Sequence, residues 1–324
     1  MAGFLTQHGF GAARCLSLAQ DASYRRYWRL LDGPWRAVLM DAPPPEDVSS
    51  FLRIARHLAG LGLSVPTIWA VDVGAGFLLE EDLGDALYAQ VLTARNAEEL
   101  FDAAVDALAV MHRAPPPDGL PAWDGEAMAT TAVATMLDWW WPAMFSAAAP
   151  ASARRGLEAA LAAMLAPLST GPTGFTHRDF FAGNLLWLPE RDGLRRVGIL
   201  DFQSASLGHL AYDLASLIED VRRDFSPRLA ERAIARYLAA RPELEPEEFR
   251  AAIKICAAQR HLRVAGQWVR LARRDGKTHY LAHGPRTWAL LQAALREPET
   301  APLARWMDCW IAPGQRANPP EVMP

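Results

Sequence analysis

The chain has 324 residues, a hydrophobic fraction of 51% and a formal net charge of −4 at pH 7. This length and balance are typical of a globular protein with two domains or lobes, and the absence of a global basic field argues against a nucleic-acid partner. Cys15, Cys256 and Cys309 are too sparse for a disulfide framework or a zinc site. With neither a signal-peptide pattern nor a membrane-spanning stretch, we expect a cytoplasmic protein without a membrane partner. We also expect a monomer.

The first part of the chain reads as strand-rich. Residues 24–30 alternate aromatic and basic side chains, and a turn at 31–34 leads to a returning strand at 36–40. Apolar residues at helical spacing predict a helix over 47–60, which Gly60 and Gly62 end. Two further strands are predicted at 65–70 and 76–80.

Beyond Gly84 the chain is rich in alanine and leucine at helical spacing. The predicted helices cover 97–112, 127–145, 153–168, 227–240, 246–271 and 285–295. One extended exception is predicted, a hairpin with strands at 185–188 and 197–200 around the turn Pro189–Gly193. The pattern predicts an α+β protein with a small strand-rich lobe, 1–83, and a larger helical lobe, 84–324.

The most informative segment lies on this hairpin. His177-Arg178-Asp179 followed by Asn184 fits H-R-D-x-x-x-x-N, and Asp201-Phe202 follows at the far end of the hairpin. Asp179 is positioned to orient a substrate hydroxyl and accept its proton, while His177 braces the loop. Asn184 and Asp201 are oxygen ligands suited to magnesium, which binds the phosphates of ATP in phosphoryl transfer. The alternative is that these Asx residues only cap turns.

These residues resemble the aminoglycoside-phosphotransferase and choline-kinase-like branch of the protein-kinase fold. Within it, the chain is similar to the bacterial N-acetylmuramate/N-acetylglucosamine 1-kinases, anomeric sugar kinases of peptidoglycan recycling. The likeness runs nearly end to end and rests on a set of short motifs. They are Asp21 to Trp28, Val38 to Pro44, Leu79 to Asp85, the catalytic loop, Tyr212 to Asp220, Gln259 to Arg263, Gly276-Lys277 and Pro285 to Trp288.

The resemblance implies roles for individual residues. It implies a bilobal kinase-like fold, ATP and Mg²⁺ as cofactors bound between the lobes, and a small-molecule sugar acceptor. Asp179 would be the base, Asn184 and Asp201 the metal ligands, and Asp213 a brace for the catalytic loop. The remaining set comprises nucleotide contacts at Ser23, Arg25, Arg26, Glu80, Asp82 and Leu83, and a sugar pocket lined by Arg222, Gln259 and Arg260.

The chain departs from protein kinases in three respects. Met40 occupies the strand position of the phosphate-binding lysine, for which Arg25 or Arg26 is the expected substitute. Gln203, not glycine, follows Asp201-Phe202, and no A-P-E sequence is present. Two other functions stay open: a phosphotransferase for another small alcohol such as an aminoglycoside, and a nucleotide-binding pseudokinase. The tryptophans at 139–141 are expected to pack, with a wall beside the sugar as the alternative.

Overall fold

The computed structural model describes residues 1–18 and 24–320. The chain divides into two compact units, unit 1 with Met1–Asn96 and Ala182–Ser204, and unit 2 with Ala97–Phe181 and Ala205–Pro324. The strands, in chain order, are β1 (Arg14–Ser17), β2 (Arg26–Leu31), β3 (Ala37–Asp41), β4 (Ile68–Asp72), β5 (Phe77–Glu81), β6 (Ala122–Trp123), β7 (Thr173–Thr176), β8 (Leu185–Trp187), β9 (Val197–Ile199) and β10 (Ser206–His209). The mixture of helices and strands confirms the predicted α+β class.

Helices make up most of the remaining chain. They are α1 (Ala2–Gln7), α2 (Val48–Gly60), α3 (Tyr88–Val91), α4 (Ala97–Arg113), α5 (Gly125–Thr135), α6 (Trp141–Phe145), α7 (Ala151–Leu165), α8 (Ala211–Ile218), α9 (Pro227–Ala240), α10 (Pro246–Asp275), α11 (Gly284–Ala294) and α12 (Ala301–Trp310). Among the described residues, no helix has the length and apolar character that crossing a membrane requires. The helices predicted from periodicity are present, except that the one predicted over 127–145 is interrupted, because an apolar stripe on a helix is visible locally.

Unit 1 is built on an antiparallel sheet with the strand order β1-β2-β3-β5-β4. The predicted first hairpin is β2 and β3, with Tyr27 opposite Met40. β1 escaped prediction because all of its residues are exposed, so its sequence shows no alternation of apolar and polar side chains. Leu30, Leu39 and Leu79 of the sheet form one core cluster with Phe4 and Phe10.

The helix α2 supports the second hairpin of the same unit. Asp47 caps α2 by accepting hydrogen bonds from the amides of Ser49 and Ser50. β8 and β9 pair antiparallel, which confirms the predicted hairpin. The Phe51 ring of α2 packs at 4.8 Å from that of Phe202, just beyond β9. This contact holds the end of the hairpin that carries Asp201.

Unit 2 contains a second sheet that the sequence did not reveal. β10 pairs with β6 and with β7, so the hairpin is not the only extended segment beyond Gly84, and that prediction was wrong. The reason is that these strands have two to four residues, too few to show a period. The sheet matters for function because β7 ends directly before His177.

The helix predicted over 127–145 is also interrupted. A π-helical turn, Met136–Trp140, separates α5 from α6. Pro142 has no amide hydrogen to donate to the carbonyl of Asp138, so a regular α-helix cannot continue through this segment. Trp140 and Trp141 are buried there, which is the packing role expected for them.

The π-helical turn lies against Gly266 of α10 at a very close backbone approach. A Cβ atom on Gly266 would come within 2.9 Å of the Met136 nitrogen and closer still to the Thr135 carbonyl. Both obstacles are backbone atoms, which cannot move aside as a side chain can. We therefore expect Gly266→Ala to lower the free energy of unfolding by roughly 3 kcal/mol, measured by urea denaturation.

Gly60→Ala is the matched control. Gly60 ends α2, and a Cβ atom there would meet nothing within 4 Å. Because alanine favours the helix, this variant should be unchanged or more stable by up to ~1 kcal/mol. A Gly266→Ala protein as stable as the wild type would contradict the close approach.

Candidate active site

The loop after β7 is fixed by one buried carboxylate. Asp213 of α8 is fully buried and accepts hydrogen bonds from the amides of His177 at 2.6 Å and Arg178 at 2.8 Å. The amide of Asp179 donates to Nδ1 of His177 at 3.3 Å. Arg178 has φ of 74°, a left-handed conformation that a non-glycine residue holds only when its surroundings impose it. Asp213 therefore sits where a brace for this loop is expected.

Asp213 is itself supported by a histidine that sequence reasoning missed. Nε2 of His112 lies 3.2 Å from the Asp213 carboxylate, and its Nδ1 lies 2.7 Å from the Tyr237 hydroxyl. Burial lowers the pKa of His112, and the hydrogen bond to Asp213 only partly offsets this. No spacing in the sequence connects His112 with the catalytic loop.

Asp179 is surrounded by arginines within unit 2. Burial alone would raise the pKa of Asp179, but the guanidinium groups of Arg263, Arg260 and Arg178 outweigh burial and hold it below its ordinary value. The carboxylate is therefore ionised at neutral pH and can orient a hydroxyl group. Arg263 was not among the predicted site residues, although it lies one helical turn after Arg260.

In unit 1 the hairpin brings Asn184 and Asp201 together. Nδ2 of Asn184 lies 3.4 Å from Oδ2 of Asp201, and the side-chain amide of Gln203 donates through Nε2 to Oδ1 of Asp201. Asp201 has φ of 59°, a left-handed conformation that Asp tolerates better than most residues. Oε1 of Gln203 is buried without a partner.

The chemistry of this pair fits magnesium. Carboxylate and amide oxygens are the hard ligands that Mg²⁺ takes, usually one or two from protein and the rest from water and phosphate. Within residues 1–18 and 24–320, no three His, Cys, Asp or Glu side chains are grouped so that they could hold a metal ion. Asn184 and Asp201 would thus leave most coordination positions to other ligands.

The two candidate arginines of the first hairpin have different environments. Arg25 is 6% exposed and forms an ion pair with Glu46 at 2.7 Å, and its Nε is buried without a partner. Arg26 is half-exposed and pairs with Asp41 at 2.5 Å. The third predicted member, Ser23, lies outside the described residues. Met40 on β3 is buried, so this strand position supplies no cation.

The segment expected to meet adenine begins on β5. Burial raises the pKa of Glu80 to about 8, although Arg25 acts in the opposite direction, so Glu80 carries a proton at neutral pH. The Asp82 carboxylate accepts hydrogen bonds from Arg29 at 3.0 Å and from the amide of Gly84 at 3.0 Å. The Asp82 side chain is engaged in these hydrogen bonds, and Leu83 is apolar and half-buried. Asp82 and Leu83 would therefore contact a nucleotide through their backbone atoms.

The predicted sugar-pocket residues do not share one environment. The guanidinium carbon of Arg222 lies 4.3 Å from the centre of the Phe181 ring. Gln259 is fully buried, and its amide donates to the Met128 carbonyl at 2.7 Å, a packing contact. Arg260 is 2% exposed, and its guanidinium interacts electrostatically with the Asp179 carboxylate. Only the arginines among them contact the surroundings of the catalytic loop.

Comparison with known proteins shows which family and which relatives the chain resembles. The model of the phosphotransferase enzyme family (APH) matches residues 14–247. A Caulobacter vibrioides protein named N-acetylmuramate/N-acetylglucosamine kinase is 38% identical, with 96% of this chain and 95% of that protein covered. A Pseudomonas aeruginosa protein of the same name is 36% identical over 90% and 87%.

The fold comparison agrees. The crystal structure of a choline/ethanolamine kinase family protein from Mesorhizobium loti matches with a TM-score of 0.64, at 17% identity, covering 95% of this chain and 100% of the other. This likeness confirms the kinase-like fold expected from the sequence. The chain belongs to the phosphotransferase enzyme family.

Proposed function

We propose that this chain is an ATP-dependent kinase that phosphorylates the anomeric hydroxyl of an amino sugar, N-acetylmuramic acid or N-acetylglucosamine, in peptidoglycan recycling. The observation that carries the proposal is Asp179, held ionised on a loop that Asp213 fixes. The names of the relatives supply the acceptor. A cytoplasmic location, a monomeric state and the lobe boundary after residue 83 stay predictions of the sequence.

Each group has a defined task in this proposal. Asp179 orients the acceptor hydroxyl and takes its proton on the carboxylate as the oxygen attacks the γ-phosphorus of ATP, whose bond to the bridging oxygen breaks to release ADP. Asn184 and Asp201 hold Mg²⁺, which when bound neutralises charge on the phosphates. Arg25 adds positive charge near the phosphates, and the backbone of 80–83 contacts adenine. His177 positions the loop by accepting a hydrogen bond from the amide of Asp179, and it does not touch the substrate.

An anomeric hydroxyl suits this arrangement. It is more acidic than an ordinary alcohol, so a carboxylate with a low pKa can accept its proton without a strongly raised basicity. The arginines around Asp179 disfavour the alternative of a cationic aminoglycoside, because like charges repel at short range. A pseudokinase would need neither an ionised carboxylate at Asp179 nor Asn184 and Asp201 in contact, and both features are present.

The position of the transferred phosphate can be tested directly. With ATP, magnesium and either amino sugar, the reducing-end signal should fall in step with ADP release, because phosphorylation at the anomeric position blocks the reducing end. The 1-O-methyl glycoside of N-acetylglucosamine is the control and should not be phosphorylated. ADP release with an unchanged reducing end would assign the phosphate to another hydroxyl.

The base and the metal site should respond differently to substitution. Asp179→Asn should lower kcat by roughly 10²- to 10⁴-fold with the KM for ATP within about threefold, since it removes proton acceptance only. Asparagine, like aspartate, tolerates the left-handed backbone of residue 201. Asp201→Asn should therefore fold normally and raise the KM for ATP roughly tenfold or more, with partial recovery at high magnesium.

Asp192→Asn is the matched control for both variants, because Asp192 lies in the exposed turn of the same hairpin. Its kinetic constants should equal those of the wild type. Near wild-type turnover by Asp179→Asn would show that Asp179 is not the base.

The cation that replaces the missing lysine should be Arg25 and not Arg26. Arg25 is buried with an unfilled Nε, so Arg25→Ala should raise the KM for ATP roughly tenfold, and Arg25→Lys should recover part of this. Arg26→Ala, at the half-exposed partner of Asp41, serves as the comparison and should change little. Wild-type constants from both alanine variants would mean that other residues meet the phosphates.

A further inference from the structure

One edge of the sheet in unit 1 is open and apolar. In the strand order β1-β2-β3-β5-β4, the strand β4 lies at an edge and, among the described residues, pairs with β5 alone. Three large apolar side chains on β4 and just after it, Trp69, Val71 and Val73, are 41%, 39% and 54% exposed. The outer side of β4 therefore presents backbone hydrogen-bonding groups together with exposed apolar side chains.

An edge of this kind is usually protected. Unpaired N–H and C=O groups can pair with a strand of another molecule, so edge strands commonly carry lysine, proline or several charges. From Ile68 to Val73 the chain has one charged residue, Asp72, and neither lysine nor proline. The opposite edge strand, β1, carries Arg14, which forms an ion pair with Asp32. Of the two edges, β4 is the one suited to pairing.

A bulge in β4 turns Trp69 toward a second exposed tryptophan. The register of β4 against β5 shifts between Ile68 and Ala70, so Trp69 is an extra residue whose side chain is redirected. Its ring centre lies 5.8 Å from that of Trp35, and the Trp35 ring packs on Phe10 at 5.1 Å. Tryptophan is enriched among the residues that dominate binding energy in protein interfaces. The two rings form a rigid apolar flank beside the open edge.

The open backbone row of β4 fits an extended strand, and the same surface on another molecule supplies one. We propose that β4 pairs antiparallel with β4 of a second copy of this chain, which joins the two unit 1 sheets into one continuous sheet. Such a contact about a two-fold axis uses the same surface on both molecules. The inference is independent of the proposed kinase activity. It replaces the monomer expected from the sequence with a dimer.

The side chains of β4 select the position of the two-fold axis. An axis at Asp72 would set two carboxylates opposite each other, and like charges in that position repel. An axis at Ala70 would bring together two small, half-buried side chains. An axis at Val71 sets this exposed side chain beside its own copy and Asp72 beside Ala70 of the second copy. We therefore place the axis at Val71.

The dimer can be tested in the full-length protein by light scattering over a range of protein concentrations. The wild type should have twice the mass of one chain. Val71→Asp sets two carboxylates at the axis and should raise the dissociation constant of the dimer roughly tenfold or more. Val71→Lys sets two ammonium groups there and should have the same effect. Because Val71 is exposed, neither variant places a charge in the core.

A mixture of the two variants gives the sharpest measurement. When the Val71→Asp and Val71→Lys proteins are combined, opposite charges meet at the axis, so a heterodimer with the mass of the wild-type dimer should form. A folding defect in either variant would not be repaired by mixing. Leu16→Asp is the matched control, because Leu16 is an exposed apolar residue on the other edge strand, β1, of the same sheet. It should leave the dimer intact.

Three outcomes would overturn the proposal. A wild-type protein that stays monomeric at every concentration would exclude the dimer and leave the edge to a strand of another protein. Equal weakening by Leu16→Asp and Val71→Asp would show that β4 is not the contact. A mixture that stays monomeric would show that Val71 does not face its own copy. Because the readout is mass, failure of the sugar phosphorylation assays would remove the proposed function and leave this inference standing.

Discussion

The carboxylate of Asp213 receives the two backbone amides that open the catalytic loop. It is fully buried, so these hydrogen bonds are made in a region of low dielectric, where they are strong and where their loss leaves an unpaired charge. His112 supports the same carboxylate from the other side. The left-handed backbone of Arg178 is maintained by this network, and the direction of the Asp179 side chain depends on it.

Once the loop is held, its surroundings decide the charge state of Asp179. Burial favours a protonated carboxylate and the arginines favour an ionised one, and the arginines prevail. The consequence is a carboxylate that is always ready to orient a hydroxyl but is a weak base. Such a group suits an acidic hydroxyl, which connects the electrostatics of Asp179 with the anomeric acceptor that we propose.

Unit 1 carries its candidate phosphate-binding cation at a position that differs from that of a protein kinase. Met40, at the strand position of the kinase lysine, is apolar. The buried cation is Arg25, which directly precedes β2 and pairs with Glu46. An arginine presents more donors than lysine and can keep an ion pair while leaving Nε unfilled. The contact between the Asn184 side-chain amide and the Asp201 carboxylate depends on the hairpin and on the packing of Phe202 against Phe51.

The sequence by itself determined the features that are local. Spacing in the catalytic segment predicted Asp179, Asn184 and Asp201, because a short hairpin joins residues near in sequence. Periodicity predicted α2, α4 and α9, because a helix shows its apolar stripe within a few turns.

Tertiary structure alone decided which distant side chains meet. His112 contacts Asp213, which holds the loop, the Trp123 ring lies under the Arg178 guanidinium, and the charge of Arg263 acts on Asp179. β6 and β7 pair through β10 over residues far apart, and the break at Met136–Trp140 accompanies the close approach of Gly266. Contacts between segments distant in sequence depend on packing, which no local pattern encodes.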